Sequence, residues 1–213
     1  MDQVSYAFYP TLLDSFVYYK KTEELNKFVE LIDKINRVKV ERHNGLSKGI
    51  AFENVINNLI DNRSTVNDFN LELVHSIVSK LKRCTSKQKK LETVIDSPYG
   101  KIKLYGIFDY EFPQMYADLK TTENYSFGKY DDHIQHKMCS LICKNNGAPI
   151  EQFNYVITDF KYWYIENYKC TDSLHDDLMY EIYDFISFIN HYKHLITNNK
   201  IFGGDGVNEI ILS

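Results

Sequence analysis

The sequence predicts an α/β sandwich: a central mixed β-sheet flanked by α-helices. Three observations lead there. Helical stripes of apolar residues fill the chain before residue 81; alternating β-branched and aromatic residues take over from about residue 91; and the helical period returns after residue 131, broken once by a further strand.

Taken in order, "TLLDSFVYYKK" reads as a short helix. "TEELNKFVELIDKI" follows with Leu25, Phe28, Val29, Ile32 and Ile35 on one stripe behind a Thr22 cap, which predicts a helix facing the core. "SKGIAFENVINNLIDN" repeats the pattern with Phe52, Val55, Ile56 and Leu59. Glu53 falls at the border of that stripe, near Ile60, so its carboxylate leans toward the interior. "FNLELVHSIVSKLKR" is again helical.

"LETVIDSPYGKIKLYGIFDY" then enters a sheet around a Ser-Pro-Tyr-Gly turn. Alternation puts Tyr105, Ile107 and Asp109 on one side of "KIKLYGIFDY" and Leu104 and Phe108 on the other. After a proline turn, "MYADLKTT" places Asp118 and Lys120 together and sends Met115, Ala117 and Leu119 the opposite way. "DDHIQHKMCSLICK" predicts a helix with Ile134, Met138, Leu141 and Ile142 inward, "NNGAP" a loop, and "FNYVITDFKYWYI" one more strand. A long amphipathic helix from about Ser173 to Ile196 carries Leu174, Leu178, Ile182, Phe185, Ile186 and Ile189.

At 213 residues the chain suits a single domain with room for one site: amino-terminal helices at 1–45, a core at 46–170 and a carboxy-terminal helix and tail at 171–213. A hydrophobic fraction of 44% with 25% charged residues belongs to an ordinary soluble globule rather than a disordered chain. Apolar runs fall far short of the roughly 20 residues of a membrane span, and "MDQVSYAFYP" lacks the regions of a secretion signal, so the expected location is cytoplasmic and off the membrane. Cys84, Cys139, Cys143 and Cys170 contain no CxxC pair and read as reduced, packed thiols.

The net charge of −4 argues against a chain coated for nucleic acid. Between residues 80 and 103, however, Lys80, Lys82, Arg83, Lys87, Lys89, Lys90, Lys101 and Lys103 face only Glu92 and Asp96. That segment is either a solvated face or a track for phosphates, with Lys82, Arg83, Lys87, Lys89 and Lys90 as the candidate contacts. His133 and His136 match no histidine metal motif; His136 is a candidate DNA neighbour, against a packing role. Tyr162, Trp163, Tyr164 and Tyr168 could stack bases or cover the core. The tail "KIFGGDGVNEIILS" could be a self-association strand or a docked edge. No G-x-x-x-x-G-K-[ST] loop exists, which excludes a P-loop engine in this chain.

Alone, Asp-x-Lys on a strand is commonly a surface ion pair. Assembled in order, "GIAFE" at 49 to 53, "GIFD" at 106 to 109, "DLK" at 118 to 120 and "QHKMC" at 135 to 139 resemble the PD-(D/E)XK nuclease superfamily. The resemblance is to its RecB-like and Cas4-like branch, including phage exonucleases, and extends over about residues 5–196. Two positions depart from the pattern: Asp109 has no preceding proline, and Cys139 stands where the branch has tyrosine. The cysteine set of its iron-sulfur members is missing, so no iron-sulfur cluster is expected.

The resemblance implies a restriction-endonuclease-like core and a metal-dependent deoxyribonuclease, an exonuclease acting in recombination, repair or phage DNA metabolism. Glu53, Asp109, Asp118 and the Leu119 carbonyl would hold Mg²⁺, with Mn²⁺ able to substitute. Lys120 would orient or deprotonate the attacking water or stabilise the transition state, and Gln135 would steady the site or the strand. DNA ends or single strands are the expected partners. The reading leaves room for a recombination partner protein, a homo-oligomer and, for a phage-encoded chain, the host cytoplasm. A sequence- or structure-selective endonuclease and a non-catalytic DNA-binding or assembly subunit are the rival readings.

Overall fold

In a computed structural model the chain is described for residues 4–39, 44–65 and 68–203, the side chains of 44–46 excepted. The expected α/β architecture is present. Its centre is β3 (Gly100–Phe112), paired along its whole length with antiparallel β2 (Ser86–Ser97), from Ser86↔Glu111 to Ser97↔Gly100. On its other side β3 has two neighbours in succession. Strand β1 (Val4–Phe8) runs parallel to residues 101–104, and β4 (Met115–Thr121) pairs antiparallel only at Tyr110↔Ala117, Glu111↔Tyr116 and Phe112↔Met115. Beyond that short ladder β4 continues parallel to β5 (Gln152–Thr158), which pairs with antiparallel β6 (Trp163–Lys169).

Helices cover both faces. One core joins Leu12, Leu13 and Phe16 of α1 (Pro10–Thr22), Met138 and Ile142 of α5 (Ile134–Asn145), and Ile182, Phe185 and Ile189 of α6 (Asp172–His191) to Phe8, Leu104, Phe108 and Tyr155 of the sheet. The second joins Phe52 and Ile56 of α3 (Asn44–Ile60) and Val74 and Ile77 of α4 (Leu71–Leu81) to Tyr110, Ala117, Leu119 and Val156. The alternation expected along β3 therefore holds as far as Phe108 and then changes hands: Phe108 packs in the first core and Tyr110 in the second. The turn-over falls at Asp109. Opposite it on β2, Gln88 has φ 51 and drops out of a ladder that Lys87↔Tyr110 and Lys89↔Phe108 otherwise continue.

Glycine gives room where α1 crosses this region. A Cβ on Gly106 would lie 3.1 Å from the Phe108 ring and 3.3 Å from Pro10 Cδ, so the start of α1 sits close against β3 just beyond the reach of β1. Across the sheet, a Cβ on Gly49 would stand 2.5 Å from Thr121 Oγ1, which measures how closely α3 approaches the end of β4.

Several sequence expectations are corrected. Val4–Phe8, not read as a strand, pairs with β3 because Phe8 and Leu104 share one core. Residues 153–165 are not one strand but the start of a hairpin: Asp159 Oδ1 accepts from the amides of Lys161 and Tyr162, folding β6 back on β5. Thr22 caps nothing, because it ends α1 while α2 (Leu25–Ile35) starts after Glu24. Within α2 the buried residues are Leu31 and Ile35, whereas Leu25 is 77% exposed and Val29 50%. The last long helix stops at His191, with 3-10 turns over Lys193–Leu195 and Asn199–Phe202. Most of the tail, from residue 204, lies outside the described residues.

These placements have a stability consequence. Phe185, fully buried against Phe8 and Phe16, should lose about 3–5 kcal/mol on truncation to alanine, whereas Leu25→Ala should stay within about 0.5 kcal/mol. Urea denaturation of both variants measures the contrast, and a large cost at Leu25 would contradict this orientation of α2.

Candidate active site

The site lies where β3 and β4 part. Past Tyr110↔Ala117 the two strands no longer pair, and the Leu119 N–H, left without a ladder partner on that side, donates to Asp109 Oδ2 at 3.2 Å. A side chain thus does what a backbone carbonyl does elsewhere in the sheet. Asp118 and Lys120 follow the period of β4, both on the side of Tyr116, which packs in the first core with α5. Asp118 is 3% exposed. Its Oδ1 accepts from Gln135 Nε2, in the first turn of α5, and its Oδ2 lies 2.7 Å from Lys120 Nζ. Lys120 also donates to Gln135 Oε1 at 2.7 Å, closing a triangle of lysine, aspartate and glutamine.

From the opposite layer α3 delivers Glu53. It meets Asp109 through a residue that sequence reasoning missed: Gln88 Nε2 lies 3.1 Å from Glu53 Oε1 and 3.0 Å from Asp109 Oδ1. Nothing in "SKQKK" marks that glutamine, since only its left-handed backbone turns it toward the acids. Asp14, on α1, was also missed. Its Oδ1 accepts the Ile134 N–H at 2.7 Å and so secures the start of α5, with His133 Nδ1 at 3.8 Å from Oδ2. An acid beside the apolar stripe of α1 was the available signal.

Electrostatics set the character of the site. Burial, then the charges of Asp118 and Glu53, push Asp109 up to about 8 against the pull of Lys120 and the Leu119 amide. Burial and Asp118 also raise Glu53 above the usual carboxylate range. Burial disfavours the Lys120 ammonium, but Asp118, Asp109 and Asp14 outweigh it and hold that lysine above its ordinary value. Three carboxylates therefore share one resident cation.

Glu53, Asp109, Asp118, Lys120 and Gln135 are thus all brought together. The other candidates divide differently. Lys87 pairs with Asp61 at 2.6 Å, Lys89 with Glu111 at 2.5 Å and Lys90 with Glu92 at 3.5 Å, while Lys82 donates to Asn62. A phosphate on this face would have to displace those carboxylates; Arg83 is exposed beside them. His136 is corrected: it is 1% exposed, stacked on Tyr168 with ring centroids 4.4 Å apart, and has no surface to offer DNA. Of the aromatic residues, Tyr164 stacks on Tyr125, Trp163 packs against the second core and Tyr162 is exposed.

Among the described residues, no three acidic, histidine or cysteine side chains stand grouped as a metal site in their present positions. Donor type and charge nevertheless suit a hard divalent ion: three oxygen ligands whose mutual repulsion one lysine leaves partly uncompensated. The Gln88 carboxamide lies between Glu53 and Asp109.

No protein-family model matches the chain. No curated protein matches it. One solved structure, described as "Crystal structure of SSO0001", shares 14% identity over 86% of this chain and 76% of that one, with a TM-score of 0.46. The reading of the site therefore rests on its own geometry.

The raised Asp109 sets a pH dependence. Its folded value lies above its unfolded one, so its contribution to stability is complete below the ordinary carboxylate range and is lost as pH rises through about 8. In EDTA the melting temperature should fall between pH 6.5 and pH 9, and Asp109→Asn should flatten that fall. A wild-type profile that is level, or that rises over this window, would contradict the crowding of acids described above.

Proposed function

We propose that the chain is a metal-dependent deoxyribonuclease with a restriction-endonuclease-like core, acting as an exonuclease on DNA ends. The observation that carries the reading is the meeting of Glu53, Asp109, Asp118 and Lys120, from α3, β3 and β4, at the fork between two strands. The residue order along the chain, with Gln135 following on α5, supports it.

When bound, Mg²⁺ or Mn²⁺ would supply Lewis-acid charge to the attacking water, the non-bridging oxygen and the departing alkoxide. Glu53, Asp109 and Asp118, with the Leu119 carbonyl, would hold it. Against burial, Asp118 and Asp109 favour the ammonium form of Lys120 in the ion-free chain, from which it would orient the attacking water or stabilise the transition state. Lys120 donates to Gln135 and is ion-paired with Asp118 Oδ2, which accepts no hydrogen bond, and it keeps N–H capacity for a phosphate oxygen or the attacking water. Gln135 keeps Lys120 and Asp118 in register, binding each through a different atom of one carboxamide. Binding DNA as a track along β2 would draw on Lys82, Arg83, Lys87, Lys89 and Lys90.

A second reading, a subunit that binds DNA or a partner protein without cleaving, is favoured by one feature: glutamine and lysine side chains already serve all three acids. Incubation of end-labelled linear DNA and a closed circle with Mg²⁺ or Mn²⁺ separates the alternatives. The expected outcome is nucleotide release from linear DNA, none from the circle, and a loss of roughly 100-fold or more in Lys120→Ala. Cleavage of the circle would make the enzyme an endonuclease. DNA binding with no hydrolysis under either ion would establish the non-catalytic reading.

A further inference from the structure

The carboxamide of Gln88 stands between two acids that the catalytic reading assigns to a cation. Gln88 Nε2 is the donor to both acids, 3.1 Å from Glu53 Oε1 and 3.0 Å from Asp109 Oδ1, so its N–H bonds face the oxygens that the catalytic reading gives to the ion. A divalent ion shared by those same oxygens would sit at roughly 2.0–2.6 Å from them. The amide hydrogens point into that seat and repel positive charge. Amide and ion exclude each other.

The backbone shows that this placement is built in. Gln88 is an interior residue of β2, yet it adopts φ 51 and forfeits its ladder position opposite Asp109, while Lys87 and Lys89 on either side keep theirs. A non-glycine residue in the left-handed region is costly inside a strand, and such outliers cluster where the chain holds a functional geometry. Here the outlier turns a solvent-facing side chain in toward the acids. Gln88 is exposed, so the carboxamide has open solvent into which it can withdraw.

We propose that Gln88 is a positioning residue that stands in for the cation: its carboxamide holds Glu53 and Asp109 together in the ion-free chain and swings out when a divalent ion enters. The proposal rests on the metal-dependent reading of the site. It assigns the spacing of the acids to a displaceable side chain, and it makes cation binding a competition with the two hydrogen bonds that Gln88 donates to them.

The test is calorimetric titration of Mg²⁺ and of Mn²⁺ into the wild-type chain, Gln88→Leu and Gln88→Gly, with melting temperatures in EDTA alongside. Leucine keeps the bulk without a donor; glycine removes the amide and also suits the left-handed backbone. Both variants should bind the ion more tightly, by roughly tenfold, because nothing has to be displaced. Gln88→Leu should also melt lower than wild type in EDTA, where Glu53 and Asp109 lose their shared donor. Weaker binding in the variants would overturn the proposal by making Gln88 a ligand, and equal binding would overturn it by showing that the amide does not occupy the ion's place. If none of the three proteins binds either ion, the metal-dependent reading fails and the proposal falls with it, whereas equal binding by all three fells the proposal alone.

Discussion

The hydrogen bond from the Leu119 amide to Asp109 organises this molecule. Two strands that pair for only three residues on each side must diverge, because β4 is committed to the parallel ladder with β5 and β3 to the long ribbon with β2. Divergence strands a buried amide, which has to be satisfied or pay its desolvation in full. A carboxylate inserted at the fork satisfies it. The same insertion brings an acid to within reach of Asp118 and Glu53, so the geometry that satisfies the fork also creates the electrostatic problem beside it.

The surroundings keep that problem in place. Lys120 and Gln135 are fifteen residues apart, yet their side chains meet because the intervening loop is pinned. Glu166, 3% exposed on β6, accepts from the Gly128 amide at 2.9 Å and from the hydroxyls of Tyr125 at 3.0 Å and Tyr168 at 2.6 Å, while Asp14 secures the first amide of α5. Helix α3 is fixed from the other side by the close approach of Gly49 to Thr121. Charged groups are thus positioned by residues on α1, α3 and β6. Crowded in this way, the acids are relieved by a proton, as at Asp109, or by a cation.

The sequence carried the acids more faithfully than the scaffold around them. Asp109, Asp118 and Lys120 were legible through their order along the chain with Glu53 and Gln135, since the alternation of β3 turns over at Asp109, and α5 and α6 were legible because each keeps an unbroken apolar stripe. Strand β1 was not, since its five residues show no clean alternation and its pairing partner lies about a hundred residues away. The β5–β6 hairpin was hidden because its turn uses an Asp side chain on backbone amides in place of Gly or Pro. In α2 a periodic stripe misled at two positions: Phe28 packs on Tyr19 of α1 and Phe188 of α6, and Leu31 and Ile35 are buried, while Leu25 and Val29 face solvent. Gln88 could not have been found from pattern: its role comes from one backbone dihedral, a property that composition does not encode.

What remains central is whether the three acids at the fork are a seat for a divalent ion. Anomalous diffraction from crystals soaked in Mn²⁺ addresses this directly. The account predicts a single strong anomalous peak lying among Glu53, Asp109 and Asp118, at bonding distance from their carboxylate oxygens. Well-ordered density for those side chains with no peak between them, in crystals saturated with Mn²⁺, would contradict it.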